Sequence, residues 1–296
     1  MSFDIEKLSQ PADRRKVLGF AAALAAFGAV PIVGRAQDDE AAEGGKRRRP
    51  GRKPGEGDGG VDAKVYQPIS DVPNVDAWKH VVYIEEAGRG IIGSGTLVQS
   101  RQVLTANHVV SGIPAANIRV RAGHPDQTLA PTVMTPISKV QHPDGDDVSR
   151  LLFGSDFPST YPRIPIPPRG SYGDHYYQDG DQLYVAGWGS TAAHPTLTIP
   201  NVAKYTDAYV ETALTWGTRQ FRAVPHSSYP ASQPCQFDSG AGGWSYRSDG
   251  ARILIGILLF GSACGQTSGV DNSFAKLNTP RTYDWLSSLG VPSSAT

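Results

Sequence analysis

The chain has 296 residues, with 28 basic and 28 acidic side chains and 39% hydrophobic residues. Because the charges cancel, no whole-protein field favours nucleic acid or an anionic membrane. The length allows one large core or two barrels sharing an interface, and 33 glycines with 23 prolines imply many turns and few long helices, as in an all-β protein.

Residues 1–36 read as an export signal. Arg14-Arg15-Lys16-Val17-Leu18 is a twin-arginine pattern, an apolar, alanine-rich run extends from Val17 to Val33, and Gly34-Arg35-Ala36 offers small residues for cleavage before Gln37. A membrane-spanning helix needs roughly 20 apolar residues; Pro31 interrupts this run, so a signal is favoured over an anchor. Such a signal implies a bacterial protein exported already folded, to the periplasm or the medium. Residues 37–64 change character: Lys46 to Gly55 contains no apolar residue to bury. That composition cannot offset its ordering entropy, so a disordered polar linker is expected.

Residues 65–296 form the expected folded domain. Short β-rich runs such as His80–Ile84, Gly95–Val98, Ile118–Val120 and Gln182–Val185 are separated by Gly, Pro, Asn and Asp, a spacing that suggests a sandwich or barrel. One helix is expected near the C-terminus, with Thr279 as N-cap, Pro280 at the first helical position and Gly290 as its stop.

The chemistry is carried by two distant segments, Leu104-Thr105-Ala106-Asn107-His108 and Cys235-Gln236-Phe237-Asp238-Ser239-Gly240. Serine attacks only when a base removes its proton, and histidine titrates where that is feasible. A carboxylate must then hold the imidazole tautomer, and Asp144, Asp146 and Asp147 lie between the two segments. The order His…Asp…Ser differs from that of the α/β-hydrolases, whose G-x-S-x-G elbow is absent because Phe237 stands two before Ser239. His142 and His194, in proline-containing stretches, read as solvated, and Glu85-Glu86 reads as a solvated pair rather than a calcium site.

Together these blocks resemble the chymotrypsin/trypsin family of serine proteases. Gly93–Val98 with Val103–His108 is similar to GGSL[IV]…VLTAAH, Asp147–Leu151 to D-I-A-L-L, and Val185–Gly189 to V-A-G-W-G. Cys235–Gly240 is similar to C-x-G-D-S-G, Ile255–Gly261 to the strand beside the specificity pocket, and Phe274–Leu277 with Tyr283–Leu286 to the closing strand and helix. The resemblance implies two six-stranded antiparallel barrels with a C-terminal helix, His108 and Asp147 coming from the first and Ser239 from the second. Its register selects Asp147 among the three aspartates. It also implies an oxyanion hole from the N–H groups of Phe237 and Ser239, and a Cys235–Cys264 disulfide. A pocket is implied at Gln233, Leu259, Phe260 and Gly261. Neutral Gln233 at its base argues for an uncharged residue before the scissile bond, since a buried cation would lack a partner.

No cofactor or metal is implied, and the substrate is a protein or peptide. There are also departures. Phe237 replaces a glycine, so it is expected either to hold its N–H inward at some backbone strain or to flip it away in the resting state, Leu259 replaces a serine, and Gly93 and Val109 stand where the family has a disulfide across the histidine loop. Asp238 is expected to find an internal partner, without cleavage of a pro-segment. The competing reading is a silent homologue that binds peptides or proteins through the same cleft.

Overall fold

The computed structural model describes residues 67–68, 78–170, 175–191, 197–211, 219–225, 233–261 and 272–294. All lie within one compact unit, Gly59–Thr296. The expected signal, the expected linker, His194 and Cys264 fall outside the described residues. No helix among the described residues is long and apolar enough to cross a membrane.

After a short strand β1 (Gln67–Pro68), the first half of the domain is built from β2 (Val81–Glu86), β3 (Gly90–Gln99), β4 (Gln102–Thr105), β5 (Ile118–Ala122), β6 (Thr132–Met134), β7 (Pro136–Gln141) and β8 (Ser149–Phe153). A one-turn helix, α1 (Asn107–Val110), follows β4. The pairing order is β6-β5-β2-β3-β4-β8-β7. The architecture is the expected all-β arrangement of two barrel-like sheets with a C-terminal helix; in this first sheet the hydrogen bonds do not run all the way round, which leaves a half-barrel. The reason is local: β6 and β7 are one stretch of chain broken at Thr135, where Pro136 has no N–H to donate. Along β5 the side chains alternate, Ile118, Val120 and Ala122 inward, Arg119 and Arg121 outward. Phe153, Phe157 and Ile164 fill the centre with Leu97, Leu104 and Leu151.

The second half comprises β9 (Gln182–Gly187), β10 (Lys204–Val210), β11 (Gln220–Pro225), β12 (Gly242–Tyr246), β13 (Arg252–Phe260) and β14 (Asn272–Lys276). It closes fully: β9 pairs with β12 on one side and β10 on the other, and β1 adds an edge to β10. Phe221 and Phe274 stack at its centre, their ring centroids 5.1 Å apart. Gly256 makes room for Phe221, since a Cβ there would come within 2.6 Å of the ring. Leu254, Ile257 and Leu259 pack into the first-half core, so the two halves share a continuous apolar interior.

The closing helix α2 (Pro280–Ser288) starts as the sequence implies: Thr279 Oγ1 accepts from the Thr282 N–H at 3.2 Å, and Gly290 takes φ 77° beyond the last turn. Leu286 is fully buried against the first half. Side chains of Gln99 and Gln102 donate to the carbonyls of Gly290 and Leu289, satisfying the exposed end of the helix.

One strand position runs against the packing. Arg150 on β8 is 8% exposed, lies opposite Leu104 and Val140, and its Nε has no acceptor among the described residues. An unsatisfied buried donor costs about 1–3 kcal/mol. Arg150→Leu is therefore expected to raise the melting temperature, at about 2–4 °C per kcal/mol. A lower melting temperature would show that the guanidinium makes a contact the structure does not describe.

Candidate active site

His108 is placed by the abrupt passage from β4 into α1. Its backbone N–H donates to Asp147 Oδ1 at 2.8 Å, and the neighbouring Asn107 N–H donates to the Asp147 carbonyl at 3.2 Å. The imidazole then meets the other oxygen, with Nδ1 2.6 Å from Oδ2. An ionised carboxylate only accepts, so Nδ1 carries the proton and the Nε2 lone pair of the neutral ring is left to accept one. Burial alone pushes the Asp147 carboxyl up, but the His108 side chain and the backbone N–H groups of His108 and Asn107 outweigh it. The net result is an acid held below its ordinary value of 3.8.

The two rival aspartates go elsewhere. Asp144 is exposed and lies 3.5 Å from Arg281, while Asp146 is buried and accepts from Thr282 and Arg219. His142 corrects its reading as solvated. It is 5% exposed, with its ring edge-on to Trp285 at 4.9 Å. Glu85 is held bidentately by Arg121, at 2.9 and 3.1 Å, and Glu86 pairs with Arg89.

Ser239 sits in the turn before β12. Its carbonyl accepts from the Ser94 N–H at 2.9 Å, which ties the turn to β3. Gly93 permits this approach, since a Cβ there would lie 2.7 Å from both the Ser239 carbonyl oxygen and a Val109 methyl. Val109 packing into the space beside Gly93 thus fastens the histidine loop where relatives of the resembled type use a disulfide. The Ser239 hydroxyl donates to the Leu259 carbonyl at 3.1 Å. His108 and Asp147 are therefore brought together, whereas the Ser239 hydroxyl rests on Leu259 rather than on His108.

The turn itself is strained at one residue. Phe237 has φ 74°, the only positive φ of a non-glycine among the described residues, and such a backbone costs an L-residue about 1–2 kcal/mol. The Gln236 carbonyl accepts from the Ser190 N–H at 2.7 Å. In a planar trans peptide the following N–H points the opposite way, so the Phe237 N–H is turned from Ser190. Neither it nor the Ser239 N–H has an acceptor among the described residues. Asp238 closes the ring: its Oδ1 accepts from Gly189 at 2.8 Å and its Oδ2 from Cys235 at 2.9 Å, both backbone N–H groups. Two of the groups that hold Asp238 are thus backbone N–H groups, one just beyond β9 and one in the Ser239 turn itself.

At the expected pocket, Gln233 is fully buried, Leu259 is 4% exposed and Phe260 is 47% exposed. The two walls meet at Gly261, where a Cβ would approach the Pro234 carbonyl to 2.9 Å. Cys235 is buried, and no free cysteine occurs among the described residues.

The trypsin-family profile matches residues 70–280, a span that includes His108, Asp147 and Ser239. The chain belongs to the trypsin family. Among solved structures it is similar to neuropsin, a serine protease of mouse brain, with a TM-score of 0.58 over 73% of this chain and 96% of that one. At 20% identity this is a likeness of fold. Achelase-1 from Lonomia achelous is 27% identical over 110 residues, 35% of this chain, which spans about half the length of that relative.

Some parts of this trypsin-family site escaped the sequence. The Ser190 N–H that orients Phe237, and the glycines that admit Asp238, sit within or beside the V-A-G-W-G segment. Its two glycines were the available signal. Phe237→Gly tests the strain. Glycine removes the left-handed penalty but costs about 0.4–1 kcal/mol through the unfolded chain. The variant is expected to melt at or slightly above the parent temperature and to react with an active-site probe at least as fast. A clear fall in melting temperature would mean that packing of the Phe237 ring outweighs its backbone strain.

Proposed function

We propose that the protein is an exported serine endopeptidase in which Ser239 is the nucleophile, His108 the base and Asp147 the orienting acid. The single observation that carries this is the 2.6 Å contact of His108 Nδ1 with Asp147 Oδ2, which leaves Nε2 as the proton acceptor. Ser239 Oγ must first leave the Leu259 carbonyl by rotating about its Cα–Cβ bond. It then attacks a peptide carbonyl carbon as its proton passes to His108 Nε2, and the carbonyl π electrons move onto oxygen. The N–H groups of Phe237 and Ser239 hold that oxyanion. Collapse breaks the C–N bond, the amine leaves with the proton from His108, and water repeats the cycle to free the acid.

The buried neutral amide of Gln233 supports an uncharged residue before the scissile bond. The positions of Cys235, four residues before Ser239, and of Cys264 beyond the pocket strand support a disulfide between them. The twin-arginine pattern supports export through residues 1–36, with residues 37–64 as a spacer and 65–296 as the protease domain.

The test is labelling of the full chain by a fluorophosphonate, beside Ser239→Ala and His108→Ala. The parent is expected to label and both variants to remain blank. Labelling that persists in Ser239→Ala would remove Ser239 as nucleophile. A folded parent that stays blank would overturn the protease reading in favour of a silent, peptide-binding homologue.

A further inference from the structure

The aspartate next to the triad acid has been drawn into the fold in a way the reaction does not require. Asp146 is 8% exposed, and both of its carboxylate oxygens are occupied. Oδ1 accepts from Arg219 Nη1 at 3.1 Å and Oδ2 from the Thr282 hydroxyl at 2.9 Å, while His142 Nε2 lies 3.7 Å from Oδ2. These partners come from three places. Arg219 immediately precedes β11 in the second half, where its carbonyl accepts from the Lys276 N–H at 2.9 Å. Thr282 is in the first turn of α2, and His142 begins the loop that leads to β8.

The backbone ties this anchor directly to Asp147. The Val148 N–H donates to the Asp146 carbonyl at 2.7 Å, a three-residue turn with Asp147 at its centre, and the His142 N–H closes the loop on the Val148 carbonyl at 3.0 Å. A tight turn of this kind leaves its central residue little freedom of its own. Where Asp146 is held, Asp147 is aimed. A carboxylate suits the position because two acceptor oxygens can engage a cation and a hydroxyl at once, and burial of its charge demands such partners.

We propose that Asp146 is a positioning residue: through Arg219 and Thr282 it fixes the turn that aims Asp147 at His108. The proposal rests on the triad reading given above. A shift of about 1 Å in a catalytic group can cost roughly 100-fold in rate. Asp146→Ala should therefore slow fluorophosphonate labelling by about 10- to 100-fold. Asp146→Asn, which keeps an acceptor for Thr282 but turns an NH₂ toward Arg219, should recover part of the loss. Thr282→Val should fall between them, and Thr282→Ser should match the parent.

The second readout does not depend on reactivity. A proton shared between His108 Nδ1 and a carboxylate resonates far downfield in the NMR spectrum of the full-length protein. It should be present in the parent, lost or broadened in Asp146→Ala, and kept in Asp146→Asn. A merely structural role would lower the melting temperature and leave that resonance in place. Should Asp146→Ala fail to fold, Thr282→Val and Arg219→Gln carry the test, since the Arg219 side chain is 47% exposed and its loss leaves no cavity.

Parent-like labelling rates and an unchanged resonance in the folded variants would overturn the proposal. A parent that shows the resonance but never labels would instead defeat the protease reading. The response of the resonance to Asp146 would still decide whether that residue aims Asp147.

Discussion

Asp147→Asn is expected to slow fluorophosphonate labelling and peptide hydrolysis by about 10⁴-fold while barely moving the melting temperature. The side chain keeps its size, and one oxygen can still accept from the His108 backbone N–H, which stands 2.8 Å from Oδ1. What changes is the group facing Nδ1. An amide NH₂ there, 2.6 Å from the ring in the present geometry, is a donor opposite a donor. The imidazole relieves the clash by moving its proton to Nε2, the atom that must accept from Ser239, and the base is lost without the fold being touched. Rates in the variant should come within tenfold of the parent only if the 2.6 Å contact does not set the tautomer. Comparison of labelling rates at neutral pH decides between these outcomes.

Gly189→Ala should have the largest effect on stability. A methyl at residue 189 would lie 2.1 Å from Asp238 Oδ2, and the neighbouring Gly187 has the same difficulty with Oδ1 at 2.3 Å. Asp238 is 1% exposed, so its carboxylate cannot retreat into solvent. Displacing it breaks its hydrogen bonds with the Gly189 and Cys235 N–H groups, and removing a partner from a buried charge costs about 3–5 kcal/mol. For a domain of this size that corresponds to a fall of roughly 6–20 °C in melting temperature. Labelling should fall as well, because Asp238 immediately precedes Ser239. A variant that melts with the parent would show that the carboxylate has a second resting place.

The boundaries of α2 and the His108–Asp147 pair were legible because their signals are local. Thr279-Pro280 is a start signal whatever surrounds it, and the register of Val148 to Leu151 distinguishes Asp147 from its neighbours within a few residues. What escaped depends on contacts between distant segments. His142 precedes a proline in a polar stretch, and nothing nearby announces that Trp285, more than a hundred residues later, will cover it. Asp146 looks like a spare turn residue until Arg219 and Thr282 arrive from elsewhere in the chain. The break between β6 and β7 was partly visible in Pro136, but which strands it would interrupt depended on the pairing. The resting partner of Ser239 is a backbone carbonyl, and side-chain patterns carry no trace of such acceptors.

The ring around Asp238 also couples two parts of the fold. Its carboxylate accepts from the N–H groups of both Gly189 and Cys235, so the turn carrying Ser239 is moored to the segment just beyond β9. Whatever loosens that segment loosens the Ser239 turn with it.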